Sequence, residues 1–207
     1  MRAHAFAWPG LLAAVLLLSV PASARADRFE DAVLAEINEA RARPQAYARE
    51  LRRQLMREAS YDRYDDAGYG GMAQEDPDAV QDAIAFLMRQ RPLPPLEADS
   101  RLARAADAHV VRQGPRGGVG HGEAGSLGRR IQAQGVWAGM QAESISYGQR
   151  SPADVVRQLV IDSRVPNRGH RRDMFSSAWQ AAGVACGSHA RWGVMCVIDY
   201  AGAIQRR

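Results

Sequence analysis

The sequence contains no lysine, and all 27 of its basic side chains are arginine. Using one cation to the complete exclusion of the other reads as codon composition. The sequence pI of about 9.5 is therefore not taken as the mark of a basic-protein function. Long apolar runs are missing as well. Leu11 to Val20 is the main one, and its ten residues are about half of the ~20 needed to span a bilayer as a helix. A polytopic membrane protein is thereby excluded. Cysteine occurs only at 186 and 196, so the monomer has a single possible pairing. No internal repeat, long linker, His-Glu-x-x-His helix or nucleic-acid-binding motif is present.

What is there suits a soluble globular protein, with 46% hydrophobic and 24% charged residues, and this excludes a disordered or collagen-like chain. Residues 1–26 have the three parts of an export signal. Arg2 supplies the positive start, Leu11 to Val20 the apolar run, and Ala24-Arg25-Ala26 the small residues a signal peptidase reads, with Ala22-Ser23-Ala24 as an alternative. Residues 27–207 would then form one domain, periplasmic or secreted. Export gives the cysteines meaning. Apolar segments at Ala181 to Gly187 and Val194 to Ala201 read as a β-hairpin, and an oxidising compartment favours a Cys186–Cys196 disulfide over a metal site shared with His189. Closing so short a loop stabilises by roughly 3 kcal/mol on the chain-entropy model.

The charge is divided. Asp27 to Asp99 carries 16 acidic and 10 basic residues, and Ser100 to Arg207 carries 7 and 15. Packing of the two halves against each other accounts for this more simply than an anionic ligand does. Apolar spacing predicts helices over Arg28 to Ala42, from Pro44 through Leu55, and from Asp76-Pro77 through Met88. Ser60 to Gln74 reads as a loop and Pro92 to Leu96 as an extended connector. Ser100 is expected to cap a helix whose inner side carries Leu102, Ala105, Ala106, His109 and Val110. A short helix near Leu127 to Gln134 and a strand near Ala142 to Tyr147 follow. Ser151-Pro152-Ala153-Asp154 then opens a helix bearing Val155, Leu159 and Asp162. Helices first and strands last predict an α+β fold. Its helical N-terminal region spans about 28–91 and its core about 93–203, with a small, largely antiparallel sheet covered by helices.

The chemistry rests on few residues. His121 stands in Gly118-Val119-Gly120-His121-Gly122, where glycine leaves the ring accessible. His170 stands in Asn167-Arg168-Gly169-His170-Arg171-Arg172. Glu143 and Asp162 are carboxylates on otherwise weakly polar or apolar segments. Two imidazoles and two carboxylates are the ingredients of a divalent-metal or acid–base site, yet the 49-residue offset between the histidines matches no short metal motif. On the residues alone, a structural role for each histidine ranks ahead of metal binding. His109 reads as a packed helix histidine and His189 as a solvated turn residue. Trp137, Trp179 and Trp192 are taken as core before ligand surface. Arg164, Arg168, Arg171 and Arg172 read as a charged loop before an anion site.

Several motifs in order resemble the CAP superfamily, the SCP-like extracellular domain of cysteine-rich secretory, antigen 5 and pathogenesis-related proteins. They are Asn38-Glu39-Ala40-Arg41, Pro94-Pro95-Leu96 with the helix after it, Gly120-His121-Gly122, Ala142-Glu143-Ser144-Ile145 in place of Gly-Glu-Asn-Ile, Gly169-His170-Arg171, and Gly183 to Gly187 with the Cys196 strand. The likeness runs over most of Asp31 to Gly202 and points to a bacterial branch. It implies an α-β-α sandwich with a cavity of two histidines and two acids that binds divalent cations in some members. Carried across, His121 and His170 would ligate the ion, zinc first by the chemistry of imidazole. Glu143 and Asp162 would hold the rings from behind.

Three function classes follow. The leading one is an exported binding domain with a lipid, small-molecule or envelope ligand. The second is a metal-assisted hydrolase acting on peptides or esters through His121, Glu143, Asp162 and His170. The third is a purely structural envelope domain. No serine or cysteine nucleophile stands out, so binding leads over catalysis.

Overall fold

The computed structural model describes residues 22–61 and 75–205. The expected export signal lies outside these residues except for its last five, which fall in the first turns of helix α1 (Ala22–Ala42). Of the expected loop at Ser60 to Gln74, the first two residues close α2 (Pro44–Tyr61), and 62–74 lie outside the described residues. The order continues with α3 (Pro77–Arg89), β1 (Glu97–Ala98), α4 (Ser100–Gln113), α5 (Ser126–Ala133), β2 (Trp137–Ala138) and β3 (Gln141–Tyr147). It ends with α6 (Pro152–Ile161), α7 (Gly169–Met174), β4 (Ala181–His189), β5 (Gly193–Ala201) and β6 (Ile204–Gln205). Among the described residues no helix is long and apolar enough to cross a membrane.

One central sheet has the order β1-β4-β5-β3. Its β4–β5 and β3–β5 pairs are antiparallel, and only the two-residue β1 runs parallel to β4. Side chains alternate across it. Val184, Cys196, Ile198 and Tyr200 point into a core formed with α1, α2, α3 and α6. Ile145, Ala185, Met195 and Val197 point the other way, under Ala106 and Val110 of α4. Leu102 and Ile131 join α4 and α5 to the same side. The result is the expected α-β-α sandwich. Gly183 permits the closest contact in it. A β-carbon there would lie 2.0 Å from the Ala103 nitrogen, so α4 seats directly on β4 only because that carbon is missing.

Asn38 and Arg41 of α1 are tethers. The Asn38 amide donates to the Leu96 carbonyl at 3.0 Å and accepts from its N–H at 2.8 Å, as a strand neighbour would. Arg41 is buried, and its guanidinium donates to the carbonyls of Met174 at 2.6 Å, Ser176 at 3.0 Å and Pro94 at 3.2 Å. Glu30 of the same helix accepts the Cys186 N–H at 2.7 Å. The disulfide joins directly opposed residues of the hairpin.

One helix start differs in detail from expectation. Asp99, not Ser100, caps α4, accepting from the N–H groups of Arg101 and Leu102. At α6 the Ser151 hydroxyl accepts the Asp154 N–H, as a cap should, and also donates to the Asp154 carboxylate at 2.6 Å. The strands of the hairpin run further than the apolar pattern suggests, so His189 is the last residue of β4.

Candidate functional site

His121 and His170 come together across the fold. Their ring centroids lie 6.4 Å apart with the planes inclined at 48°. His121 sits between Gly120 and Gly122, both at positive φ (88° and 78°), in the loop joining α4 to α5. That loop is held by three side chains from two elements, α4 and β3. The Gly120 N–H donates to the Tyr147 hydroxyl at 2.9 Å, and its carbonyl accepts from Gln113 at 2.7 Å and His109 at 3.1 Å. Tyr147 in turn donates to Gln113 at 2.8 Å, closing a ring of hydrogen bonds. His170 follows a tight passage after α6 in which Asp162, Arg164, Asn167 and Arg168 all have positive φ. Asp and Asn visit that region readily, whereas for arginine it is costlier, and such conformations persist where surrounding contacts dictate them.

Each ring is backed by a buried carboxylate. His121 Nδ1 lies 2.9 Å from Glu143 Oε1, and His170 Nδ1 lies 2.7 Å from Asp162 Oδ1. An ionised carboxylate only accepts, so both Nδ1 atoms carry a proton, and in the neutral form of each ring Nε2 is left with a lone pair. Asp162 also accepts the N–H groups of His170 at 2.9 Å and Arg171 at 3.3 Å, which locks it to the start of α7. The Glu143 hydrogen bond and charge hold the His121 pKa above its ordinary value, outweighing the opposing effect of burial. For His109, burial dominates and pushes the pKa down.

The donor set fits a divalent ion. Imidazole nitrogens with their second nitrogen fixed by a carboxylate are a common arrangement for zinc. With Zn–N at ~2.1 Å and a tetrahedral angle, two rings bound through Nε2 would stand roughly 5 Å apart between centroids, so the pair, 6.4 Å apart here, would close by about 1 Å on an ion. Among the described residues no cluster of three or more His, Cys, Asp or Glu side chains could hold one ion. Water would therefore supply the rest of its shell.

The hollow is open rather than enclosed, since the His121 side chain is 56% exposed and that of His170 21%. A separate recess of about 250 Å³ lies between α1 and α2, lined by Glu36, Glu39, Tyr47 and Glu50 among others. Two of its three glutamates already pair with Arg43, Arg53 and Arg57, and neither His121 nor His170 lines it.

Three residues of the site escape sequence reasoning. Arg130 of α5 is buried and its guanidinium binds Glu143, the Ala105 carbonyl and the Ser126 hydroxyl. Its spacing from Leu127 put it on the inward side of α5, which was the available signal. Asp199 is paired directly across the sheet with Glu143 and on the same face. It has no exposed surface, and among the described residues neither oxygen has a hydrogen-bond donor, although Arg130 lies 3.9 Å away. Burial, then the charge of Glu143, pushes its pKa up to about 8. An acid inside the apolar run Val194 to Ala201 was the clue. Asp173, one turn after His170 on α7, has its pKa raised by burial and opposed by His170, Arg172 and His121. Ser144, which replaces the family asparagine, points to the opposite face of β3 from Glu143 and takes no part in orienting it.

Other expectations change. His189 is not solvated. It is buried, donates from Nε2 to the Gly118 carbonyl at 2.8 Å, and accepts the N–H groups of Arg191 and Trp192 at Nδ1. The arginines near His170 do not act as one group. Arg171 is buried and donates to the carbonyls of Val160, Ile161 and Ala79, while Arg168 and Arg171 both pair with Asp82. Trp179 is core, stacked near Tyr200, whereas Trp192 is 47% exposed. The Trp137 side chain lies outside what is described.

Compared with known families, residues 34–200 match CAP, the cysteine-rich secretory protein family. Among solved structures, the chain is similar to a cysteine-rich secretory protein from Staphylococcus aureus, at 15% identity over 64% of this chain and 40% of that one, with a TM-score of 0.44. It is similar to an outer surface protein from Borrelia burgdorferi at 18% identity, over 56% and 80%, with a TM-score of 0.44. An extracellular protein containing a SCP domain from Bacillus anthracis gives 20% identity over 64% and 45%, again at 0.44. The chain thus spans less than half of the Staphylococcus and Bacillus proteins it resembles, and these distant likenesses say nothing of ligand or activity. No curated protein matches it.

Proposed function

This chain belongs to the CAP family of cysteine-rich secretory proteins, and on that premise we propose that it is an exported binding domain whose two imidazoles hold a divalent cation, zinc first. One observation carries the reading: two rings from distant segments stand 6.4 Å apart, each with Nδ1 fixed by its own buried carboxylate. His121 and His170 would be the ligands. Glu143 and Asp162 hold their tautomers, Arg130 keeps Glu143 in place, and the Tyr147–Gln113–Gly120 ring sets the position of His121. When bound, the ion supplies Lewis acidity, which is also the chemistry the metal-assisted hydrolase alternative requires.

The partner carried with the ion is set by the openness of the hollow. Ligand pockets generally bury most of a ligand's surface. A half-exposed ring pair suits a small molecule or the end of an envelope component better than an enclosed lipid chain. Export is supported by the family, by the signal-like first 26 residues and by the disulfide.

Zinc titration of the mature protein by calorimetry tests the reading. One site is expected, weakened at least ~10-fold by Glu143→Gln and more by His121→Ala or His170→Ala. Equal, negligible affinity in all four proteins would end the proposal. Product release from ester and peptide panels, abolished by chelator and by His170→Ala, would convert binding into hydrolysis.

A further inference from the structure

The turn between β4 and β5 and the glycine loop before His121 form one projecting edge. Ala190 donates its N–H to the Gly114 carbonyl at 2.9 Å, and a β-carbon on Gly117 would lie 3.5 Å from those of Ala190 and Arg191. His189 ties the two together, with one nitrogen on Gly118 and the other on the turn. The β3–α6 connection joins them, since Gly148 bonds to Val194 at 2.9 Å and the Arg150 guanidinium lies 3.4 Å from where a β-carbon on Gly193 would be. The disulfide below, between Cys186 and Cys196, stiffens the hairpin that carries the turn.

This edge has an unusual chemistry for a solvent-facing surface. Arg116, Arg150 and Arg191 project from it, and none has an acidic partner among the described residues. Its three chain segments, 108–122, 144–153 and 174–198, contain no aspartate or glutamate. The nearest acid along the glycine loop, Glu123, pairs with Arg129 at 3.8 Å. Two large apolar side chains stand among the cations. Val119 is 58% exposed and Trp192 47%, with the Arg191 guanidinium 5.0 Å from the Trp192 ring centroid. By contrast, Arg168 and Arg171 near His170 both pair with Asp82.

We infer that this edge is a docking surface for an anionic bilayer, with Trp192 and Val119 entering the headgroup region and Arg116, Arg150 and Arg191 facing the lipid phosphates. An amphipathic indole is at home at that depth, and cations beside it add attraction to anionic lipid. Charge alone would suit any polyanion, and the exposed Trp192 and Val119 are what favour a bilayer. The edge is preorganised by His189 and the disulfide, so little ordering is lost on docking. It lies outside the two-imidazole hollow and goes beyond the cation reading.

The test is co-sedimentation of the mature, oxidised protein, with chelator present, against phosphatidylcholine vesicles with and without about one-third phosphatidylglycerol. Binding is expected only with the anionic lipid and should fall steeply between ~0.1 M and ~1 M salt. Arg150→Gln and Arg191→Gln should each weaken partitioning about five-fold, and Trp192→Ala at least as much. All three positions are exposed, and circular dichroism checks that the variants are folded. Indifference to lipid charge, or variants that bind like the unaltered protein, would overturn the inference. So would equal binding to a soluble polyanion such as dextran sulfate with no effect of Trp192→Ala. Zinc affinity of Trp192→Ala should stay unchanged, so failure here is separable from failure of the cation proposal.

Discussion

Replacing Asp199 by asparagine is expected to stabilise the protein, increasingly so as pH rises. Asp199 has no exposed surface, no hydrogen-bond donor among the described residues, and Glu143 directly opposite across the sheet. Its pKa is pushed from 3.8 up to about 8. The unfolded chain gives up this proton near pH 4 and the folded chain keeps it to about pH 8. Through that window the folded state holds more protons than the unfolded state, so stability falls with rising pH by up to about 1.4 kcal/mol per unit. Below about pH 4 both states are protonated and the contribution is flat. Three units would amount to about 4 kcal/mol. Relaxation and the Arg130 guanidinium 3.9 Å away reduce this, leaving an expected gap of about 2 kcal/mol at pH 7. Asparagine keeps the shape and does not titrate. Urea unfolding of both proteins, disulfide intact, from about pH 4.5 to about pH 8 reads the gap directly. A gap that stays constant, or a variant that is the weaker one at the alkaline end, would refute the reasoning.

Arg171→Met should cost about 4 kcal/mol in the same assay, because the carbonyls of Val160, Ile161 and Ala79 lose a buried donor. A loss below about 1 kcal/mol would show that they find other partners. Gly183→Ala should cost about 3 kcal/mol or more, since its β-carbon would meet Ala103 and Leu102 backbone at 2.0 and 2.3 Å. A melting temperature unchanged by this substitution would mean that α4 can lift from β4 freely.

The sequence made the elements legible where periodicity and caps agree. Val80, Ile84 and Leu87 define α3, and the apolar runs around Cys186 and Cys196 define the hairpin. Near-equivalent neighbours defeated finer assignment, as when Asp99 rather than Ser100 caps α4. The four site residues were legible only through the order of their motifs. Nothing local says that Glu143 reaches His121 or that Asp162 reaches His170, because strand pairing and left-handed turns bring them together. The same holds for His189, whose burial comes from the glycine loop laid over it by a remote part of the chain. Arg130 and Asp199 were each visible as a charge at an inward position, but without the sheet register no partner could be named. Asn38 and Arg41 announced a family, and their physical work is to tether α1 to Leu96, Pro94, Met174 and Ser176.

Glu30 and Cys186 are joined across 156 positions. The earliest helix, which also packs on α2 and α6, therefore completes its seat only when the terminal hairpin has arrived. In a chain threaded outward amino end first, closure of the molecule waits for nearly the whole polypeptide to emerge. Until then the apolar stripe of Val33, Leu34 and Ile37 has only the cover that α2 and α6 supply, and its last side stays open to the end.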